Sequence, residues 1–124
     1  MHNEKYDANF LEVRRDILRQ NAQTVVDAVK VPVIAVLKFD GCFIGIEEAA
    51  KAWQSAGVTM FAVSESWEAL QLRQAGFAED ILLLAPVADE KTAKELAEQN
   101  IILTVTSLDN ARFYQQCGVQ RVHV

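Results

Sequence analysis

The stretch Val33-Ile34-Ala35-Val36-Leu37-Lys38 is a run of five apolar residues that stops at a lysine. An apolar run this short and this rich in β-branched residues predicts a strand covered on both faces, as in parallel sheets. A lysine at the carboxyl end of such a strand stands where α/β sheets present their chemistry. Desolvation there disfavours the ammonium form, and the free amine is the form that attacks a carbonyl carbon. The plain alternative is a lysine that leaves the core and snorkels into water. The rest of the chain weighs on that choice.

Working outward, one pattern repeats. Gly57 precedes the apolar run 58–63, Gly76 leads to Ile81-Leu82-Leu83-Leu84, Asn100 precedes Ile101 to Val105, and Gly118 precedes Val119 to Val124. Glycine or asparagine just past a helix end is what a left-handed C-terminal cap requires. The spacings of 19, 24 and 18 residues each fit one strand-plus-helix unit. Helix-start signals fall between them at Ser64, at Ser107, and at Asp89 followed by Thr92. Before the first strand, Leu11, Leu18, Ala22, Val25 and Val29 form an apolar stripe that predicts a helix over 8–29, ended by Pro32. Ile46, Ala49, Ala50 and Trp53 mark the buried face of the next helix, with Glu47 and Glu48 suited to its first turn. The intervening 39–45 reads as a βα loop in which Gly41 or Gly45 shapes a turn or leaves room for a ligand.

The expected fold class is therefore α/β: a leading helix, then about five parallel strands with flanking helices and right-handed crossovers. A (β/α)8 TIM-type barrel needs about 250 residues. A chain of 124 residues ending on its fifth strand supplies an incomplete, partial barrel as a single domain. A small, complete doubly wound sheet is the competing fold, and it would bind its ligand at the same strand ends.

Composition excludes several functions. The chain is 51% hydrophobic and 23% charged, with a net charge of −5 and no basic cluster, which argues against nucleic-acid binding. No apolar stretch reaches membrane-spanning length, and the segment Met1 to Tyr6 lacks a signal-peptide layout. Cys42, Cys117, His2 and His123 stand at no metal-ligand spacing, so no metal site is expected, and a cytoplasmic location with reduced thiols is. Arg14, Arg15 and Arg19 read as a solvated face, and Glu90, Lys91, Lys94 and Glu95 as surface ion-pair partners. Trp53 and Trp67 read as helix-to-sheet packing, and Arg73 as a tie between its helix and a neighbouring loop.

Taken in order, these segments resemble the N-terminal part of the alanine racemase family, the fold-type III pyridoxal 5'-phosphate (PLP) enzymes. Val36-Leu37-Lys38-Phe39-Asp40-Gly41 is similar to the family's V-V-K-A-[DN]-A-Y-G-H-G. Phe61-Ala62-Val63-Ser64-Glu65, continuing through Glu68-Ala69-Leu70-Gln71-Leu72-Arg73-Gln74-Ala75-Gly76, resembles its A-V-A…E-A-L-x-L-R-x-x-G. The strands at Ile81 and Ile101 resemble the two that follow, Asn21 the asparagine of its first helix, and Val122-His123-Val124 the opening of V-H-L-K-x-D-T-G-M. The resemblance implies that Lys38 is catalytic: it would hold PLP as a Schiff base and then act as one of two bases. It further implies Val36, Cys42 and Leu84 as cofactor contacts, a small amino acid as substrate, a homodimer, and a role in supplying D-alanine for cell-wall precursors.

Departures from the family's pattern shape the expectation. Cys42 stands where the family has a tyrosine reaching the cofactor phosphate, and Phe43 and Ile44 replace the next glycine and histidine. A thiol is a weaker donor than a phenol, so phosphate anchoring should suffer. Residues 1–124 are thus expected to be the N-terminal portion of a PLP-binding barrel whose second half and β domain, with the second base, are absent. The expected function is a fragment of an alanine racemase, inactive alone. The alternatives are a non-catalytic PLP-binding or homeostasis module and a self-associating half-barrel scaffold.

Overall fold

The computed structural model describes residues 11–124. The first part of the expected leading helix and the reading of Met1 to Tyr6 lie outside them. The elements run α1 (Arg15–Val29), β1 (Ile34–Val36), α2 (Lys38–Phe43), α3 (Ile46–Ser55), β2 (Met60–Val63) and α4 (Ser66–Gln74). They continue with β3 (Asp80–Leu83), α5 (Glu90–Glu98), β4 (Ile102–Thr104), α6 (Leu108–Gln116) and β5 (Val122–His123). The strands form one five-stranded parallel sheet whose spatial order is the chain order.

That order decides the fold class. A doubly wound sheet needs a reversal of strand order and helices on both faces. Here one core joins Leu37, Phe61, Val63, Ile81, Leu83 and Leu103 to residues of α3, α4, α5 and α6, including Ile46, Ala69, Leu96 and Tyr114. The opposite face carries only a small cluster of Ala62, Leu82 and Ile102, with Met60 packed against it. All four helices therefore cover one side, as on the outside of a barrel. The inner side is open: Ile34 is 45% and Val36 48% exposed. The structure is a partial, unclosed (β/α) barrel.

Four of the five helix-to-strand turns repeat the same local chemistry; in the turn from α1 to β1, Lys30 takes the left-handed position and its own N–H bonds Val26 O at 3.4 Å. Gly57, Gly76, Asn100 and Gly118 all have positive φ, between 54° and 88°. The residue after each bonds back across the cap: Val58 to Trp53, Phe77 to Leu72, Ile101 to Leu96 and Val119 to Tyr114. Such caps satisfy carbonyls that the last turn leaves unpaired and set an apolar residue against the helix end. The starts at Asp89 and Ser107 hold as expected, bonding the Thr92 and Asn110 amides. Ser64 does not cap α4; Glu65 is the N-cap, and the Ser64 amide is itself a donor.

The stripe expected on the leading helix is also corrected. Only Ala22 is buried, while Val25 and Val29 remain exposed. Leu18, Ala22 and Val26, at strict four-residue spacing, form the inward edge instead, and Arg15 pairs with Glu48 of α3 at 2.7 Å. Trp53 packs against the core as expected, but Trp67 is 52% exposed. Arg73 does tie loops together, donating to the carbonyls of Phe77, Glu79 and Gln99 at 2.8–3.0 Å. Among the described residues, no helix is long and apolar enough to cross a membrane.

Candidate functional site

The carboxyl edge of the sheet gathers most of the residues singled out from sequence. Lys38 lies just past the last ladder bond of β1, Leu37 N–H to Ala62 O at 2.7 Å, and its side chain is exposed. Its Nζ sits 5.4 Å from the centroid of the Phe39 ring. Among the described residues it is paired with no carboxylate. Val36 is on the open face, level with Ala62 and Leu82. Leu84, 39% exposed, extends that face, with its N–H bonded to Val63 O at 2.8 Å. Thr104 follows on β4, its hydroxyl donating to Leu83 O at 2.7 Å, and His123 of β5 pairs beside it.

The connection after Lys38 is not the plain loop expected. Phe39, Asp40, Gly41, Cys42 and Phe43 all have φ between 52° and 67°, so α2 is a turn of left-handed helix. Four of these five residues are not glycine. Each such residue costs roughly 1–2 kcal/mol in this conformation, because its Cβ crowds the following carbonyl. The turn persists because its surroundings over-determine it. Gly41 N–H bonds Leu37 O at 2.8 Å, and Gly45 N–H bonds Asp40 O at 3.0 Å. The Asp40 carboxylate accepts from Ile46 N–H at 2.9 Å, at the start of α3, where a helix dipole favours negative charge. The Asp40 amide donates in turn to Glu68 Oε1 at 3.1 Å.

Gly41 leaves no room for a ligand. A Cβ there would meet Ala49 Cβ at 2.9 Å and Ile46 Cα at 3.1 Å. The turn instead throws Phe39 and Phe43 outward, 58% and 78% exposed, with ring centroids 6.2 Å apart. Cys42 is exposed in the same turn, and Cys117 is buried. The structure thus brings Lys38, Val36 and Leu84 to one end of the sheet and puts Cys42 on the turn beside it.

Four features of the structure, three of them near the site, were not read from sequence. Glu68 is 0% exposed, and its carboxylate accepts three backbone amides. The legible clue was an acid on the same helical stripe as the buried Leu72, four residues on. Asp40 anchors α3, as described. The buried Tyr114 hydroxyl accepts from Val87 N–H at 2.8 Å and pins the loop after β3. At the amino end of the sheet, Arg121, just before β5, grips Asp80 of β3 with two bonds of 2.6 and 2.8 Å. That guanidinium holds the Asp80 carboxyl below the usual carboxylate range.

The helix starts at the carboxyl edge are already occupied. Asp89 accepts from the Thr92 hydroxyl at 2.7 Å and the Thr92 amide at 2.8 Å, which in that order lower its pKa, Ser107 bonds the Asn110 amide at 3.1 Å, and Glu68 bonds those of Ser64 and Glu65 at 3.0 Å. These caps leave an anion fewer free amides at the helix starts. No cluster able to hold a metal occurs among the described residues.

With this geometry in place, the chain can be set beside known proteins. Residues 13–124 match the family described as alanine racemase, N-terminal domain. An alanine racemase of Pediococcus pentosaceus is 38% identical over 97 residues, which are 77% of this chain and 26% of that protein. The crystal structure of alanine racemase from E. faecalis superposes with a TM-score of 0.77 at 28% identity, covering 84% of this chain and 28% of that one. A histidine racemase from Leuconostoc mesenteroides superposes with a TM-score of 0.74 at 26% identity, covering 83% and 28%. The chain spans about a quarter of the length of the curated relatives it matches.

Proposed function

Because the chain belongs to the alanine racemase N-terminal domain family, we propose that it carries the cofactor-holding lysine of a PLP-dependent amino-acid racemase, with alanine as the first substrate to test. The observation that most supports this is the placement of Lys38, an accessible primary amine at the carboxyl edge of β1. Bound there, PLP supplies an aldehyde for covalent attachment and an electron-withdrawing ring that makes a substrate Cα proton removable.

The residues present suit the aldehyde and ring better than the phosphate. Lys38 offers the amine, and the half-exposed Val36 and Leu84 offer apolar contact to a ring. The helix starts nearby are capped, and Cys42 brings only a thiol, a weak donor, towards a phosphate. The second task of Lys38 is to take and return a proton at Nζ on one side of the substrate. Interconversion of L- and D-alanine needs a base on each side, and we assign no second base among the described residues. The isolated chain is therefore expected to be inactive, or to exchange a proton slowly. The same reading carries a homodimer and a cytoplasmic setting with reduced thiols.

An absorbance titration with PLP tests this. A band near ~420 nm that is lost in Lys38→Ala, with a borohydride-fixed adduct on the Lys38 peptide, is the expected result. Adducts spread over surface lysines, with no Lys38-dependent band, would overturn it. Efficient racemisation by the isolated chain would overturn the expectation of inactivity.

The open sheet face favours one other reading, a self-associating half-barrel. Ile34 and Val36 are nearly half exposed, and β1 and β5 are unpaired edges. A monomer in sedimentation at every concentration tested would sink it.

A further inference from the structure

We propose that Glu68 is a positioning residue for Lys38: its buried carboxylate clamps the left-handed turn that starts at Lys38 to the start of α4. The relevance of this clamp to function rests on the reading of Lys38 above. The clamp itself is a property of the chain.

The side chain is 0% exposed and has no cationic partner among the described residues. A buried carboxylate is tolerated only when hydrogen bonds replace its water. Here Oε1 accepts from the Asp40 amide at 3.1 Å, and Oε2 accepts from the Ser64 and Glu65 amides, both at 3.0 Å. Helix capping accounts for the Glu65 bond and extends to the adjacent Ser64, since Glu68 is the third residue of α4 and reaches back to the residues just before it. It does not account for the Asp40 bond, which joins residues 28 apart. The two oxygens are thus divided between two segments, one following β1 and one following β2.

Asp40 needs that acceptor. In a left-handed turn its amide finds no partner along the chain, and Glu68 is the one acceptor it has among the described residues. The other restraints on the turn, Gly41 to Leu37, Gly45 to Asp40, Ile46 to Asp40 and the packing of Gly41 on Ala49, come from its immediate neighbours in the chain, β1 and α3. Glu68 is the side chain that fixes the turn, and with it the departure of Lys38, against the neighbouring strand-to-helix junction.

The test combines hydrogen exchange on the chain without cofactor and the PLP titration. A glutamine at this position has one acceptor oxygen and presents an NH2 to amide donors, so one of the two segments must lose its bond. In Glu68→Gln, exchange at Asp40 and Ile46 should quicken by tenfold or more, while Leu83 and Leu103 in the sheet stay unchanged. The Lys38-dependent absorbance band should form at least tenfold more slowly, and its pH dependence should shift. Unchanged exchange at Asp40 in Glu68→Ala, which removes both acceptor oxygens, would mean a cap only and overturns the proposal. If Glu68→Gln loosens the whole sheet, Glu68→Asp, which keeps the charge but is one methylene short, is read by the same amides. Global loosening in both variants also overturns it. Local loosening at Asp40 in a protein whose wild type forms no Lys38 band would uphold the clamp and overturn the functional reading instead.

Discussion

The two edges of the sheet are built in opposite ways. At the amino edge, four helix-to-strand turns repeat one device, a single left-handed residue followed by the same backward hydrogen bond. At the carboxyl edge, no two strand-to-helix turns are alike. After β1 comes a run of five left-handed residues, after β2 a buried carboxylate, after β3 a loop pinned by Tyr114, and after β4 a serine cap. A repeated solution indicates a demand made by the fold on every unit. Individual solutions indicate a demand made at one place only, and in barrels the carboxyl edge is where chemistry sits.

The largest expected effect separates the edges outright. Lys38→Ala should abolish the absorbance band near ~420 nm while leaving the urea midpoint unchanged, since the side chain is exposed. A band that survives would remove the functional claim from the carboxyl edge. Next comes Gly41→Ala. Its Cβ would meet both Ala49 and Ile46 at a positive φ, so the stability measured by urea unfolding should drop by about 3 kcal/mol. Gly57→Ala, Gly76→Ala and Gly118→Ala meet nothing within 4 Å, and each should cost only about 1 kcal/mol of backbone strain. Equal losses at all four glycines would mean that the turn after Lys38 is no more tightly packed than the others.

The smallest effect concerns an ion pair at the amino edge. The Arg121–Asp80 pair is partly exposed, so Asp80→Asn should cost about 0.5 kcal/mol at neutral pH. Because Arg121 lowers the Asp80 pKa, the pair's contribution is full above the carboxyl's unfolded value. It fades as pH falls below about 4 towards the lowered folded value. Melting temperatures at pH 3 and pH 7 should therefore lie closer together in Asp80→Asn than in the wild type.

The same contrast governs what could be read from the sequence. The amino edge was legible because Gly57, Gly76, Asn100 and Gly118 act within a few residues of themselves. The starts at Asp89 and Ser107 were legible for the same reason. The parallel sheet of strand-plus-helix units followed from the uniform repeat, whereas strand order and the one-sided placement of helices, which exclude the doubly wound alternative, came only with the structure. The left-handed turn was not legible. Phe39, Asp40, Cys42 and Phe43 have no local preference for positive φ strong enough to announce it, and the restraints that hold it come from Glu68 and Ala49. The leading helix misled for a related reason: its apolar residues exceed the narrow edge that meets α3, and Val25 and Val29 are left over. Lys38 was found early because an apolar strand points at it, whereas the reach of Glu68 to Asp40 is visible only once two segments are seen to meet.

Strand order equal to chain order has a consequence in time. Paired residues such as Ile34 and Met60, or Leu82 and Ile102, are about 20 to 26 positions apart, and no strand waits for a distant partner. Ordering loops this short costs little entropy before the contacts repay it, so folding should be fast for a parallel sheet. Each unit can dock on the one before it as soon as it leaves the ribosome, and the growing chain always carries a finished surface for the next strand to join.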